Sequence, residues 1–221
     1  SEVKYSLFKR INTPGLKLEP QEIRHALYQG KATELVKKLA ENELFVRATG
    51  GSVSTDRMQD REMVLRYLAL HYLGMVSYKE ETMDNYLNKA MEYINRQDEQ
   101  FIEQCSKLYF EALECVYQIF GKNSFRRISK LKPDDLKPIN TALFESWLNA
   151  VAELSKSERK QLVEKRKELV HLYIDELDKR SSFYSDIGSG KYRSFVRRNE
   201  TIKRMIQEVL YGSEETQNSK F

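Results

Sequence analysis

The sequence predicts an all-α fold, a bundle of several helices. In every long segment after residue 55, apolar residues recur three and four positions apart, the period of a helix that buries one face. The 221 residues include only nine glycines and four prolines, which is few for a fold built on many tight turns. We therefore expect at least six helices after residue 56 and little or no sheet.

The first elements are short. Over residues 3–7 the apolar pattern fits a strand or a helical turn equally well, because so few residues define no period. A helix is expected over residues 20–28, since Pro20 suits the first helical position and Glu22 places a negative charge in the first turn. A second short helix is expected over residues 32–40.

Start signals divide the rest of the chain. Residues 42–51 end in two adjacent glycines and are interpreted as a boundary. Asn140 is a candidate N-cap, and Ser77 and Ser155 each begin a candidate capping box. The expected helices cover residues 56–72, 77–94, 98–120, 140–151, 155–179 and 192–210, with irregular segments over residues 123–138 and 181–190.

Composition and cysteine spacing bear on the environment of the protein. Hydrophobic residues make up 40% of the chain, but no apolar run approaches the length of a membrane span. The net charge of +4 is compatible with nucleic-acid binding and supports it only weakly. Cys105 and Cys115 lie on one predicted helix with about 15 Å of rise between them, which is too far for a disulfide. We interpret both as reduced thiols of a cytoplasmic protein.

Two motifs, the first of them in two parts, resemble a known family. Residues 8–15 spell Phe-Lys-Arg-Ile-Asn-Thr-Pro-Gly, residues 18–24 spell Leu-Glu-Pro-Gln-Glu-Ile-Arg, and residues 57–66 spell Arg-Met-Gln-Asp-Arg-Glu-Met-Val-Leu-Arg. They resemble the motifs of the GmrSD restriction endonuclease N-terminal-domain family, whose fold is similar to ParB and sulfiredoxin domains. Pro14 replaces a family glycine and Glu19 replaces a threonine. Residues 190–210 are similar to the family's C-terminal helix.

The resemblance implies a domain organisation and an activity. The family carries out nucleotide-dependent DNA cleavage in phage defence, and its Asp-Gly-Gln-Gln-Arg motif, upstream of the Phe-x-x-x-Asn motif, is absent from this chain. We therefore expect residues 1–50 to be the C-terminal remnant of a ParB-like α+β domain, residues 51–211 a helical domain and residues 212–221 a flexible tail. The chain would be a fragment, or a split or degenerate family member.

This expectation extends to ligands and partners. We expect no cofactor in this chain, whereas the complete protein would use a nucleoside triphosphate and Mg²⁺. The chain alone should bind nucleotides weakly or not at all and should not hydrolyse them. The expected partners are DNA, the missing N-terminal half or a nuclease subunit, with no membrane. The rival hypothesis is a non-catalytic helical module that binds another protein.

Three groups of residues are candidate sites, each with a structural alternative. An aromatic ring, a guanidinium and an amide could contact a nucleotide, although the ring could equally be core and the amide a cap. The dense charges of the second motif form either a phosphate clamp or a structural ion network. The basic last helix either follows a DNA backbone or is a solvated face. In order, these groups are Phe8, Arg10 and Asn12; Arg57, Asp60, Arg61, Glu62 and Arg66; and Lys191, Arg193, Arg197, Arg198, Lys203 and Arg204.

Other classes of site find no support in the sequence. The three histidines are far apart, and neither cysteine has the spacing of a metal ligand. Neither a P-loop nor a dinucleotide-binding glycine motif occurs. The sequence therefore assigns no metal site, and it leaves the catalytic residues unknown.

Overall fold

The computed structural model describes residues 3, 5–7, 18–132, 134–178 and 182–212. Across these residues the fold is all-α, which confirms the predicted class. The β-pairing among these residues is one isolated antiparallel bridge between Arg126 and Ile139. The chain divides into two compact units, Ser1–Tyr109 and Phe110–Phe221. The predicted boundary near residue 50 lies inside the first unit. That residues 1–50 are the remnant of a ParB-like domain stays a prediction.

The first unit is organised around a buried central helix. This helix, α4, is apolar on most sides, and Val64, Leu65 and Tyr67 are fully buried within it. It packs against α2 and α5, and α1 contacts it near its start. The elements of this unit are α1 (Pro20–Leu27), α2 (Lys31–Ala40), α3 (Glu43–Thr49), the 3-10 turn Asp56–Met58, α4 (Gln59–Leu73), the 3-10 turn Val76–Tyr78, α5 (Met83–Asn95) and the first part of α6 (Glu99–Phe120).

The second unit is organised around its last helix, α11. Helix α11 packs against four other helices, and an aromatic cluster of Phe120, Trp147 and Tyr173 lies in the same core, with ring centroids 4.8 and 5.5 Å from that of Trp147. The elements after α6 are the 3-10 turn Gly121–Asn123, α7 (Thr141–Ala152), α8 (Lys156–Glu164), α9 (Arg166–Asp178), α10 (Ser182–Ile187) and α11 (Tyr192–Tyr211).

Two predicted helix starts are confirmed and one is wrong. The Asn140 side chain accepts a hydrogen bond from the backbone N–H of Leu143, and Ser155 forms the predicted capping box with Glu158. The cap of α5 is Thr82, not Ser77. Ser77 instead lies within the 3-10 turn before α5 and donates to the carbonyl oxygen of Leu73 at 2.6 Å.

Two other sequence expectations need correction, and a third segment contains a helix that was not expected. That segment, residues 42–51, contains helix α3, which Asn42 caps and which Gly50 ends in the left-handed conformation that suits glycine. The single helix expected over residues 155–179 breaks at Lys165, whose ammonium donates to the carbonyl oxygen of Val209 at the end of α11. The loop expected over residues 181–190 contains α10.

Both cysteines lie on α6 and are buried as free thiols. Burial raises the pKa of Cys105 to about 11 and that of Cys115 to about 12, so neither thiol is activated as a nucleophile. In the part of the chain that the structure describes, no helix combines the length and apolarity needed to cross a bilayer.

Candidate functional site

The charges of the second motif begin at a tight turn before α4. Arg57 and Met58 both adopt left-handed backbone conformations, with φ of 59° and 58°. For residues with a Cβ this conformation costs about 1–2 kcal/mol each, so the surrounding contacts must hold it. One such contact is an ion pair, in which Arg57 Nε donates to Oε2 of Glu22 on α1 at 2.9 Å.

Arg24 is the centre of this region. Its side chain is completely buried, and its guanidinium donates to Glu62 Oε2 at 2.8 Å and to Asp84 Oδ1 at 3.0 Å. Its Nε donates to Oε1 of Gln21 at 2.8 Å. One cation from α1 therefore binds carboxylates from both α4 and α5.

Arg57 and Arg66 extend these contacts. Glu62 Oε1 also accepts from Arg66 at 2.9 Å, one helical turn along α4. We call the set of Gln21, Glu22, Arg24, Arg57, Glu62, Arg66 and Asp84 the Arg24 network. It joins the motif at residues 18–24 to the motif at residues 57–66.

Arg61 lies beside the Arg24 network. Its guanidinium is 3.1 Å from Glu41 and 3.3 Å from Nδ1 of His25. Burial lowers the pKa of His25, and the positive charges of Arg61 and Lys37 lower it further. A neutral imidazole can accept the hydrogen bond from Arg61, which agrees with this direction.

The pKa values of Asp60 and Tyr5 are also shifted by burial. Burial raises the pKa of Asp60 and that of the Tyr5 phenol, whose oxygen lies 3.4 Å from Arg24 Nη1. Oδ1 of Asp60 is buried with no hydrogen-bond partner. A carboxyl group in that position is more easily protonated than one in water.

This geometry bears on both interpretations of the second motif. Each of Arg57, Arg61 and Arg66 contacts a carboxylate, so the described contacts are those of an ion network. A phosphate at this place would have to displace carboxylates from guanidiniums that are at least partly desolvated. The phosphate clamp stays a prediction. The other N-terminal candidates, Phe8, Arg10 and Asn12, lie outside the described residues.

Four of the six candidate cations on α11 also contact carboxylates. Arg198 is buried, and it donates to Glu145 Oε1 at 2.7 Å, to Ser146 Oγ at 3.0 Å and to the carbonyl oxygen of Asp186 at 2.9 Å. Arg197 forms two hydrogen bonds to the Asp186 carboxylate, at 2.6 and 2.9 Å. The hydrogen bonds from Arg197 hold the pKa of Asp186 below its usual range.

The remaining cations of α11 divide into paired and exposed residues. Lys203 contacts Glu153 at 2.5 Å, and Arg204 contacts Glu176 at 3.0 Å. Lys191 and Arg193 lie exposed at the start of the helix. The six candidates therefore do not form one free cationic face. DNA binding by this helix stays a prediction.

Several residues of these networks were not singled out from the sequence. They are Arg24, Asp84, Glu145 and Asp186, which lie 11 to 60 positions from their ion-pair partners. For Arg24 a signal existed, because it stands within a motif. Glu145 and Asp186 carry no such signal, since only the packing of the helices brings them to Arg198 and Arg197.

Within the described ranges, no group of three or more His, Cys, Asp or Glu side chains is placed to hold a metal ion. The comparisons with known proteins add no assignment. No protein-family model, no curated protein and no solved structure matches this chain.

Proposed function

We propose that this chain is the helical, C-terminal part of a ParB-like, nucleotide-dependent DNA restriction protein. The proposal starts from the resemblance of its motifs to the GmrSD family. The observation that supports it best is the Arg24 network, in which Glu22 contacts Arg57 and Arg24 contacts Glu62. Two motifs more than 30 positions apart in sequence thus meet as one charged cluster.

In this proposal the network is a positioning device. Helix α1 begins at Pro20, shortly after the motif at residues 8–15, and a buried guanidinium fixes α1 to α4 and α5. Ligand contacts would come from Arg10 and Asn12, while the network holds the element that follows them. A rigid support of this kind lowers the entropy lost when a site binds its ligand.

The proposal includes a location and a set of ligands. The protein would act in the cytoplasm on foreign DNA, with a nucleoside triphosphate and Mg²⁺ bound by the complete protein. An N-terminal ParB-like part or a nuclease subunit would complete the site. This chain would supply Phe8, Arg10 and Asn12 to it.

Phage plating on cells that express the complete natural open reading frame tests the proposal. Wild type should lower the efficiency of plating, and Asn12→Ala should restore it while protein abundance stays unchanged. Lys160→Ala is the control, because Lys160 is exposed and its ion pair with Glu164, one helical turn away, is long at 4.0 Å. Full restriction by Asn12→Ala, or no restriction by wild type against a broad phage panel, would contradict the proposal.

A non-catalytic helical module remains a second candidate. The pairing of Arg197, Arg198, Lys203 and Arg204 with carboxylates favours it, because those charges are already used inside the unit. A gel-shift titration with duplex DNA at low and high salt separates the candidates. The sensible variant is Lys191→Ala with Arg193→Ala, since both residues are exposed. A salt-dependent shift that this variant weakens would favour DNA binding.

A further inference from the structure

The second unit contains a cleft that none of the motifs above uses. It lies between the irregular segment after α6, the end of α9 and the helix α10, and its volume is about 540 Å³. Its apolar lining includes Ile128, Ile139 and Leu177, and its polar lining includes Arg127 and Tyr184. Clefts of this size accommodate small organic molecules.

Arg127 is the unusual feature of the cleft. Its guanidinium carbon lies 4.3 Å from the centroid of the Tyr184 ring, and its Nη2 makes one long hydrogen bond, 3.5 Å, to the Tyr184 carbonyl oxygen. Its Nε is buried with no hydrogen-bond partner. Among the described residues no carboxylate lies within ion-pair distance of it, in contrast to the arginines of the Arg24 network.

The other charges of the cleft do not neutralise Arg127. Lys137 contacts Asp135 at 2.5 Å, and Asp135 is not part of the lining. The lining itself carries two cations, Arg127 and Lys137, and one carboxylate, Asp178. Its net charge is therefore +1, which favours a monoanion over a phosphate dianion.

The shape of the donor also selects the anion. A guanidinium presents a planar fork that matches the two oxygens of a carboxylate. Tyr184 and the side chains of Ile128, Ile139 and Leu177 offer apolar contact area beside that fork. We propose that the cleft binds a small carboxylate with an apolar body, its carboxylate on Arg127 and its body against these side chains.

Calorimetric titration of the purified chain tests the proposal. The probes are phenylacetate, hexanoate and indole-3-acetate, with phenylacetamide as the neutral match for phenylacetate. At least one carboxylate should bind saturably. Phenylacetamide should bind at least about tenfold more weakly than phenylacetate, because it loses a charge-assisted hydrogen bond in a partly desolvated site.

Variants then locate the site. Arg127→Met keeps an unbranched apolar stem and removes the guanidinium, so it should weaken carboxylate binding about tenfold or more. Arg166→Met is the matched control, because Arg166 is exposed on α9, away from the cleft lining, and binding should not change. Circular dichroism confirms that each variant is folded. If Arg127→Met does not fold, the comparison of phenylacetate with phenylacetamide on wild type decides.

Several results would overturn the proposal. These are the absence of saturable binding by every carboxylate, equal binding of phenylacetate and its amide, and unchanged binding by folded Arg127→Met. Tighter binding of phenyl phosphate than of phenylacetate would overturn the assignment of a monoanion.

Discussion

Arg24 in the first unit and Arg198 in the second are both buried, but their carboxylate partners are buried to different degrees. The side chain of Arg24 is 0% exposed, whereas those of Glu62 and Asp84 are 25% and 24% exposed. Arg198 and Glu145 are 2% and 4% exposed. One guanidinium thus binds carboxylates that still reach water, and the other belongs to a pair that is sealed on both sides.

This difference separates two uses of a buried arginine. A sealed pair has lost the hydration of both charges, so its energy depends on keeping both partners. In the Arg24 network the carboxylates remain partly hydrated, and their contacts can be exchanged at lower cost. We therefore expect the Arg198 pair to act purely in stability and the Arg24 network to be the one that can respond to a neighbouring ligand.

Removing Arg198 should have the largest effect on stability. Arg198→Met leaves Glu145 charged and buried, and the free energy of unfolding should fall by about 3–5 kcal/mol. Chemical denaturation at pH 7 measures the change. The double variant Arg198→Met with Glu145→Leu should recover much of the loss, because no unpaired charge remains. A loss below about 1 kcal/mol for the single variant would contradict the sealed pair.

Acid should affect His25, in the first unit, and Asp186, in the second unit, in different pH windows. The folded-state pKa values of His25 and Asp186 are both lowered, so each group contributes stability above its unfolded pKa and loses it as pH falls through the folded value. For His25 the loss begins below pH about 6.5, and for Asp186 below about 3.9.

Denaturation curves between pH 8 and pH 3 test this difference. His25→Gln should flatten the loss that begins below about pH 6.5, and Asp186→Asn should flatten only the loss below about pH 4. Each variant serves as the control for the other. If both variants change the same pH window, the assignment of acid sensitivity to these two groups is wrong.

The ion pair between Arg204 on α11 and Glu176 on α9 should have the smallest effect. The side chain of Arg204 is 50% exposed and that of Glu176 is 13% exposed. Arg204→Ala should change the free energy of unfolding by no more than about 1 kcal/mol, because a solvated ion pair contributes little. The difference in the free energy of unfolding between wild type and Arg204→Ala should be closer to zero at high salt than at low salt. A loss comparable to that of Arg198→Met would remove the distinction between sealed and solvated pairs.

The helices were predictable from the sequence because their apolar residues carry the helical period, which requires no knowledge of neighbours. Helix α10 was missed because it is short and serine-rich, although Phe183 and Ile187 lie one turn apart and are both buried. The break at Lys165 was missed because the contact to Val209 is tertiary.

Arg198 shows how the candidate site could have been predicted better. It was grouped with surface cations on account of its charge. Phe195, Arg198 and Ile202 nevertheless lie three and four positions apart, on the buried stripe of α11. Its position in that stripe predicts burial, and a buried arginine requires a carboxylate partner. The identity of that partner, Glu145, depends on helix packing and is not in the local pattern.

The contact between Arg24 and Glu62, which joins the two motifs, can be measured most directly by a double-mutant cycle. The free energies of unfolding of wild type, Arg24→Met, Glu62→Gln and the double variant give their coupling energy. We expect a coupling of about 1–3 kcal/mol, and additivity within about 0.5 kcal/mol for the control cycle of Arg24 with the exposed Glu34. Additivity of Arg24 and Glu62 within that same margin would contradict the proposal that the two motifs form one structural unit.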